Sequence, residues 1–348
     1  MMDLAPVEVP LSVLDLSLIV AGSNPGEALR NSLDLARHVE EWGYHRFWLA
    51  EHHNIPGVAS AATAVVLASV AGVTRTIRLG SGGIMLPNHP PLVIAEQFGT
   101  LEALHPGRID LGLGRAPGGD FATAQALRKQ GGSSADRFPE DLDELQTYLR
   151  PSRPGQKVRA IPGEGSQVPV WLLGSSDYSA RLAAAKGLPF AFASHFAPDY
   201  LFEALGRYRS QFQPSSSLGR PYAMVAVNVV AAETDDEARE LFTSLLQTFL
   251  NLVRGQPGQM LPPVPTMDGL WSPAERAAVE RMVRCSVVGS PATVGRGLQS
   301  LCEATGADEL IIASPIYDHG LRRRSYELTR PAFRAACSLE RDLVRAAG

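Results

Sequence analysis

The chain has 348 residues, 45% of them hydrophobic and 20% charged, with a formal net charge of −4 and three cysteines, Cys285, Cys302 and Cys337, far apart in sequence. This composition excludes a disordered chain and a disulfide scaffold, and it offers no basic field to neutralise a nucleic-acid backbone. No export signal and no apolar run of membrane-spanning length is present, so the sequence points to the cytoplasm and to no membrane partner.

Short runs rich in Val, Ile, Leu and Phe recur along the chain, each followed by a longer segment of helical period. Eight runs are counted, at residues 13–20, 46–50, 77–85, 108–114, 168–174, 189–194, 222–232 and 308–314. They are apolar at most consecutive positions, as parallel strands covered on both faces should be. Several predicted helices stop at a glycine just before the next strand, as at Gly43, Gly107, Gly187 and Gly306. Eight right-handed βα units close into an α/β fold of the (β/α)8 TIM-barrel kind, here one domain over residues 1–348; a doubly wound open sheet is the alternative. Two segments break the rhythm: a Gly- and Ser-rich loop at 115–135, and a Pro- and Gly-rich loop at 255–272 followed by a predicted short helix at 273–283. Loops of that length read either as active-site coverings, with 255–283 as a mobile lid, or as plain surface insertions.

The second run passes straight into Glu51, His52 and His53, at the strand end where barrels carry catalytic groups. Neighbouring residues on extended chain point to opposite sides, so one histidine faces the pocket and the other braces the surroundings. Metal ligation is the weaker option, because neither His-Glu-x-x-His nor Cys-x-x-Cys spacing occurs. In the third run, Gly80, Gly82 and Gly83 suit either a flat ring lying on the backbone or a bulge and tight packing. Gly112 and Gly114 followed by Arg115 make a poor dinucleotide loop, since Pro117 interrupts it; Arg115 is better read as a cation for a phosphate, or as half of an ion pair. The fifth run ends at Gly174, Ser175, Ser176 and Asp177 and enters a helix that carries Ser179. That pattern fits an anion site at a helix N-terminus, and equally well ordinary capping.

Taken together, Ala50 to His53, the stretch 79–89, the segment 106–115 and Leu173 to Ser176 resemble the bacterial-luciferase-like flavin monooxygenases, over nearly the whole chain. The resemblance implies that His52 is the active-site histidine and that Gly82-Gly83 is a cis peptide beneath the flavin ring. It implies that Arg115 and Arg137 hold the flavin phosphate together with Gly174, Ser175, Ser176 and Ser179. It further implies reduced FMN supplied by a separate reductase, O2 and a small organic substrate as reactants, and a homodimer. A deazaflavin-dependent hydride-transfer enzyme and a non-catalytic flavin-binding protein are the alternatives. Two departures stand out: Gly114 replaces the reactive cysteine of the light-emitting enzymes, and Ser175 replaces an acidic residue, so light emission from an aldehyde is not expected. The apolar residues Phe121, Met260, Leu261 and Trp271 in the long loops favour an apolar substrate.

Overall fold

The computed structural model describes residues 8–116, 121–127 and 134–347. Its strands are β1 (Leu11–Asp15), β2 (Arg46–Leu49), β3 (Arg78–Ser81), β4 (Ile84–Met85), β5 (Ile109–Gly114), β6 (Val170–Gly174), β7 (Phe190–Phe192), β8 (Ala223–Ala231), β9 (Ser286–Gly289) and β10 (Glu309–Ala313). The helices are α1 (Pro25–Glu41), α2 (Thr63–Val73), α3 (Pro91–Leu104), α4 (Phe121–Leu127), α5 (Phe138–Leu149), α6 (Asp177–Lys186), α7 (Leu201–Ser210), α8 (Asp235–Val253), α9 (Pro273–Met282), α10 (Pro291–Thr305) and α11 (His319–Ala347). Every strand pairing is parallel, in the order β10-β1-β2-β3-β5-β6-β7-β8, and β8 pairs back onto β10. The result is a closed (β/α)8 barrel, which leaves no sheet edge among these eight strands. None of the described helices is long and apolar enough to cross a membrane.

Local sequence explains the elements. Asn24 caps α1 by accepting the amide of Glu27 at 3.0 Å, with Pro25 at the first helical position. At the other end of a unit, Gly187 closes α6 at φ 61°, a left-handed turn that a Cβ would strain, and the predicted Gly43, Gly107 and Gly306 also have positive φ. The 273–283 prediction is met by α9, which opens with a reciprocal capping box between Ser272 and Glu275.

Three expectations need correction. The run 13–20 is not one strand: β1 ends at Asp15, Ser17 turns at φ 50°, and Leu18 and Val20 instead bridge to Val58 and Met260. The run 77–85 is split into β3 and β4 by Gly82-Gly83. A further strand, β9, had no counterpart in the eight runs; it pairs with the top of β8 from Asn228, the last residue paired with β10, to Ala231. Helices α8 and α9 and the loop between them are therefore an insertion, and α10 is the helix that returns the chain to β10.

Two cores result. Alternate residues of the strands point outward against the helices, as Val13, Phe47, Leu49, Leu111, Val225 and Ile312 do in the large cluster. The inward set, Leu14, Trp48, Ala50, Trp171, Ala191, Met224, Ala226 and Ile311, comes from β1, β2 and the residue after it, β6, β7, β8 and β10, and fills the barrel on that side. Below it, at the amino ends of the strands, the filling is charged. Arg46 binds Asp110 at 2.7 Å and Glu309 at 3.0 Å, Arg78 binds Asp110 at 2.5 Å, and Ser12 and Tyr222 donate to Glu309. Removing one member of such a buried set costs about 3–5 kcal/mol, because its partner stays buried without compensation.

Candidate active site

The carboxyl ends of the strands face the opposite way from this charged floor. Continuing the alternation of Arg46, Trp48 and Ala50 puts His52 on the barrel side of the chain. Its neighbour His53 serves as a brace: His53 Nε2 and His89 Nε2 both meet Glu51 Oε1, at 2.7 and 2.8 Å, and the Met85 amide donates to Oε2 at 3.0 Å. Burial alone would raise the Glu51 carboxyl, but the hydrogen bonds from His89, His53 and Met85 hold it below the usual carboxylate range. The donor atoms of Glu51, His53 and His89 lie within 4.8 Å of one another, as metal ligands would, and the hydrogen bonds account for that convergence.

Glu51 thereby ties the end of β2 to β4, just beyond the Gly82-Gly83 peptide, which is cis. A Cβ on Gly82 would stand 2.6 Å from Leu14 Cδ1, and one on Gly83 would stand 2.7 Å from the Gly112 carbonyl oxygen. Close packing against backbone thus requires a glycine at 83 whether or not a ring lies on it, whereas at 82 the Leu14 side chain would have to give way. At Gly114 an added Cβ would meet Met85 Sδ at 2.8 Å, so the Met85 thioether lies where a longer side chain on β5 would go.

Across the ring, Gly174 ends β6, and its missing side chain lets Ser179 tuck back: an added Cβ would come 2.6 Å from that of Ser179. Ser176 is the N-cap of α6 in extended conformation, yet its side chain makes no capping bond. The Arg115 guanidinium lies over the Tyr178 ring, 3.9 Å from its centroid. A cation, two serines and an uncapped helix start therefore share one corner, while Asp177 turns to Arg181 at 3.3 Å. Arg137 is 68% exposed and 4.0 Å from Asp141, in a turn that packs against residues 86–88. Of the 115–135 loop, residues 117–120 and 128–133 lie outside the described residues.

One residue escaped sequence reasoning. His195 follows β7, on the wall opposite β2, and burial together with the charge of His52 pushes its pKa down to about 4. Its Nδ1 is buried with no hydrogen-bond partner among the described residues. The available signal was Ser194-His195 at the end of the sixth run, where a barrel keeps its site residues. The 255–272 segment reaches the same face: Met260 exchanges backbone hydrogen bonds with Ile19 and Ala21, and Gln247 holds the Pro262 carbonyl at 2.9 Å.

Comparison with known proteins agrees with this geometry. The family model for luciferase-like monooxygenases matches residues 10–309. A luciferase-like monooxygenase of Escherichia coli (strain K12) is 55% identical over 92% of this chain and 96% of its own. The N-acetyl-S-alkylcysteine monooxygenase of Bacillus subtilis (strain 168) is 33% identical over 94% of this chain and 99% of its own. The crystal structure of apo-MsnO8 superposes with a TM-score of 0.88 at 36% identity, covering 94% of this chain and 99% of that one. On these matches the chain belongs to the luciferase-like monooxygenase family.

Proposed function

We propose that this enzyme uses reduced FMN, delivered by a separate flavin reductase, and O2 to oxygenate a small, apolar organic substrate. The observation that carries the cofactor assignment is the uncapped start of α6 under Arg115. Free amides, a helix dipole and a fixed guanidinium suit a terminal phosphate, which FMN has and riboflavin lacks. In this reading Arg115, Ser175, Ser176 and Ser179 hold the phosphate, with Arg137 at its outer side, and the ring rests on the backbone of Gly82-Gly83.

Bound reduced FMN would supply the electrons that activate O2. The chain's own residues orient the ring, keep water out, and exchange a proton at the His52 imidazole. Segment 255–283, the lid in this reading, closes over the mouth, with Leu261 and Leu270 part of its exposed apolar surface. The name of the Bacillus relative makes N-acetyl-S-alkylcysteines the first panel to screen, with the apolar lining of the barrel interior suited to their S-alkyl group alone. A homodimer is part of the same reading. Val65 is 67% exposed on α2 and Leu104 is 65% exposed on α3, which leaves apolar faces for a second copy.

The test is anaerobic titration with reduced FMN followed by an oxygen pulse. Stoichiometric binding and a flavin spectrum that persists beyond the lifetime of the free-flavin reaction are expected. Failure to bind reduced FMN, with binding of a deazaflavin instead, would move the enzyme to hydride transfer; tight flavin binding with no product from any substrate would make it a carrier.

A further inference from the structure

His195 has a fixed backbone and an unsatisfied ring. Its carbonyl accepts Asn228 Nδ2 at 2.5 Å, and Asn228 is itself buried at the fork where β8 passes from β10 to β9. Ser194, the preceding residue, donates to the Ala226 carbonyl at 2.5 Å, and the Phe196 ring meets the imidazole edge-on at 4.9 Å. Two contacts with β8 therefore fix the backbone at His195, and an aromatic neighbour packs against its ring. A buried ring nitrogen without a partner is costly, and natural proteins rarely keep one except where a ligand or water completes it.

We infer that His195 is a second histidine of the active centre, whose Nδ1 forms a hydrogen bond with the polar edge of the flavin's pyrimidine ring. Three observations favour the flavin as the partner. His195 follows the strand next to β6, whose end begins the phosphate corner. It stands on the wall opposite His52, so the two rings bracket the mouth above Trp48 and Trp171. A neutral imidazole donates to a ring carbonyl or accepts from a ring N–H according to its tautomer, whereas an imidazolium only donates. The apolar part of a substrate would leave the nitrogen unsatisfied.

This inference rests on the flavin reading, and the experiment separates the two. Full-length protein carrying 15N-labelled histidine is titrated anaerobically with reduced FMN, the FMN form used throughout this test, and the His195 signals among the eight histidines are identified by their absence in His195→Asn. The Nδ1 resonance is expected to move as FMN saturates. In parallel, His195→Phe keeps a ring without nitrogen and should weaken FMN binding roughly tenfold, the loss of one buried hydrogen bond. His195→Asn places an amide near the Nδ1 position and should stay within about threefold of the parent, because one polar contact is retained. FMN binding with an unmoved Nδ1 resonance, or equal weakening by the two substitutions, would overturn the role of His195 and leave the flavin reading standing. No FMN binding at all would overturn both.

Discussion

Glu51 is the best place to test whether the active-site wall is held as described. Its carboxylate serves three donors through two oxygens, and an amide has only one oxygen to offer. In Glu51→Gln the oxygen must face the Met85 amide, which cannot reverse its polarity; the amide nitrogen then faces the imidazoles, which can, by changing tautomer. All three bonds lose the charge of their acceptor, a loss of about 0.7 kcal/mol each and about 2 kcal/mol in all. Glu51→Ala removes every acceptor, strands the Met85 N–H and leaves a cavity, for a loss of about 3–5 kcal/mol. At about 2.1 cal/mol/K per residue, the 348 residues give an unfolding entropy of about 0.7 kcal/mol/K, so the two variants should melt about 3 and 4–7 °C below the parent. Because the Glu51 carboxyl is held below its unfolded value, its contribution is complete above about pH 4.5 and is lost as pH falls through the folded pKa. The gap between parent and Gln variant, followed by calorimetry from pH 7 to pH 3.5, should therefore narrow at the acid end. Equal melting of the Gln and Ala variants at pH 7, or a gap independent of pH, would refute the account.

Gly83→Ala should cost about 1–3 kcal/mol in denaturant unfolding, because its Cβ meets the backbone of Gly112, which has no rotamer to yield. Gly206→Ala on α7, with nothing within 4 Å, should instead stabilise by about 0.5–1 kcal/mol. His195, with a folded pKa of about 4 against 6.5 unfolded, binds fewer protons in the folded state, so stability should fall by about 3 kcal/mol as pH drops from 6.5 to 4. His195→Phe should flatten that slope, and an unchanged profile would count against the burial of the imidazole. Arg115→Met should weaken FMN at least about tenfold while leaving riboflavin affinity within about twofold, since only the phosphate loses its partner; equal loss for both ligands in a fluorescence titration would remove Arg115 from the phosphate site.

The barrel was legible because its signals are local and repeated: apolar runs at near-regular spacing and a glycine before four of the strands both survive in the structure. What escaped depended on long-range pairing. Residues 13–20 look like one strand because Leu18 and Val20 keep the apolar pattern, yet their partners, Val58 and Met260, belong to other loops. β9 is four residues long and only partly buried, so no apolar run announced it. His52 was found through its neighbours in sequence, whereas the interest of His195 lies in facing His52 from across the ring, a relation no spacing encodes. The residues alone left the serines after β6 open between capping and anion binding, since hydroxyl type does not say which way it points; in the structure the Ser176 side chain makes no capping bond.

The charged floor of the barrel bears on how the chain assembles. Arg46, Arg78 and Asp110 belong to the first half of the sequence and leave it with a surplus positive charge at the base, whereas Glu309, with Tyr222 donating to it, gives the second half a negative one. A half-barrel severed between β5 and β6 would expose an unmatched charge at its base that only the other half neutralises. Such fragments should recombine with each other in preference to their own copies.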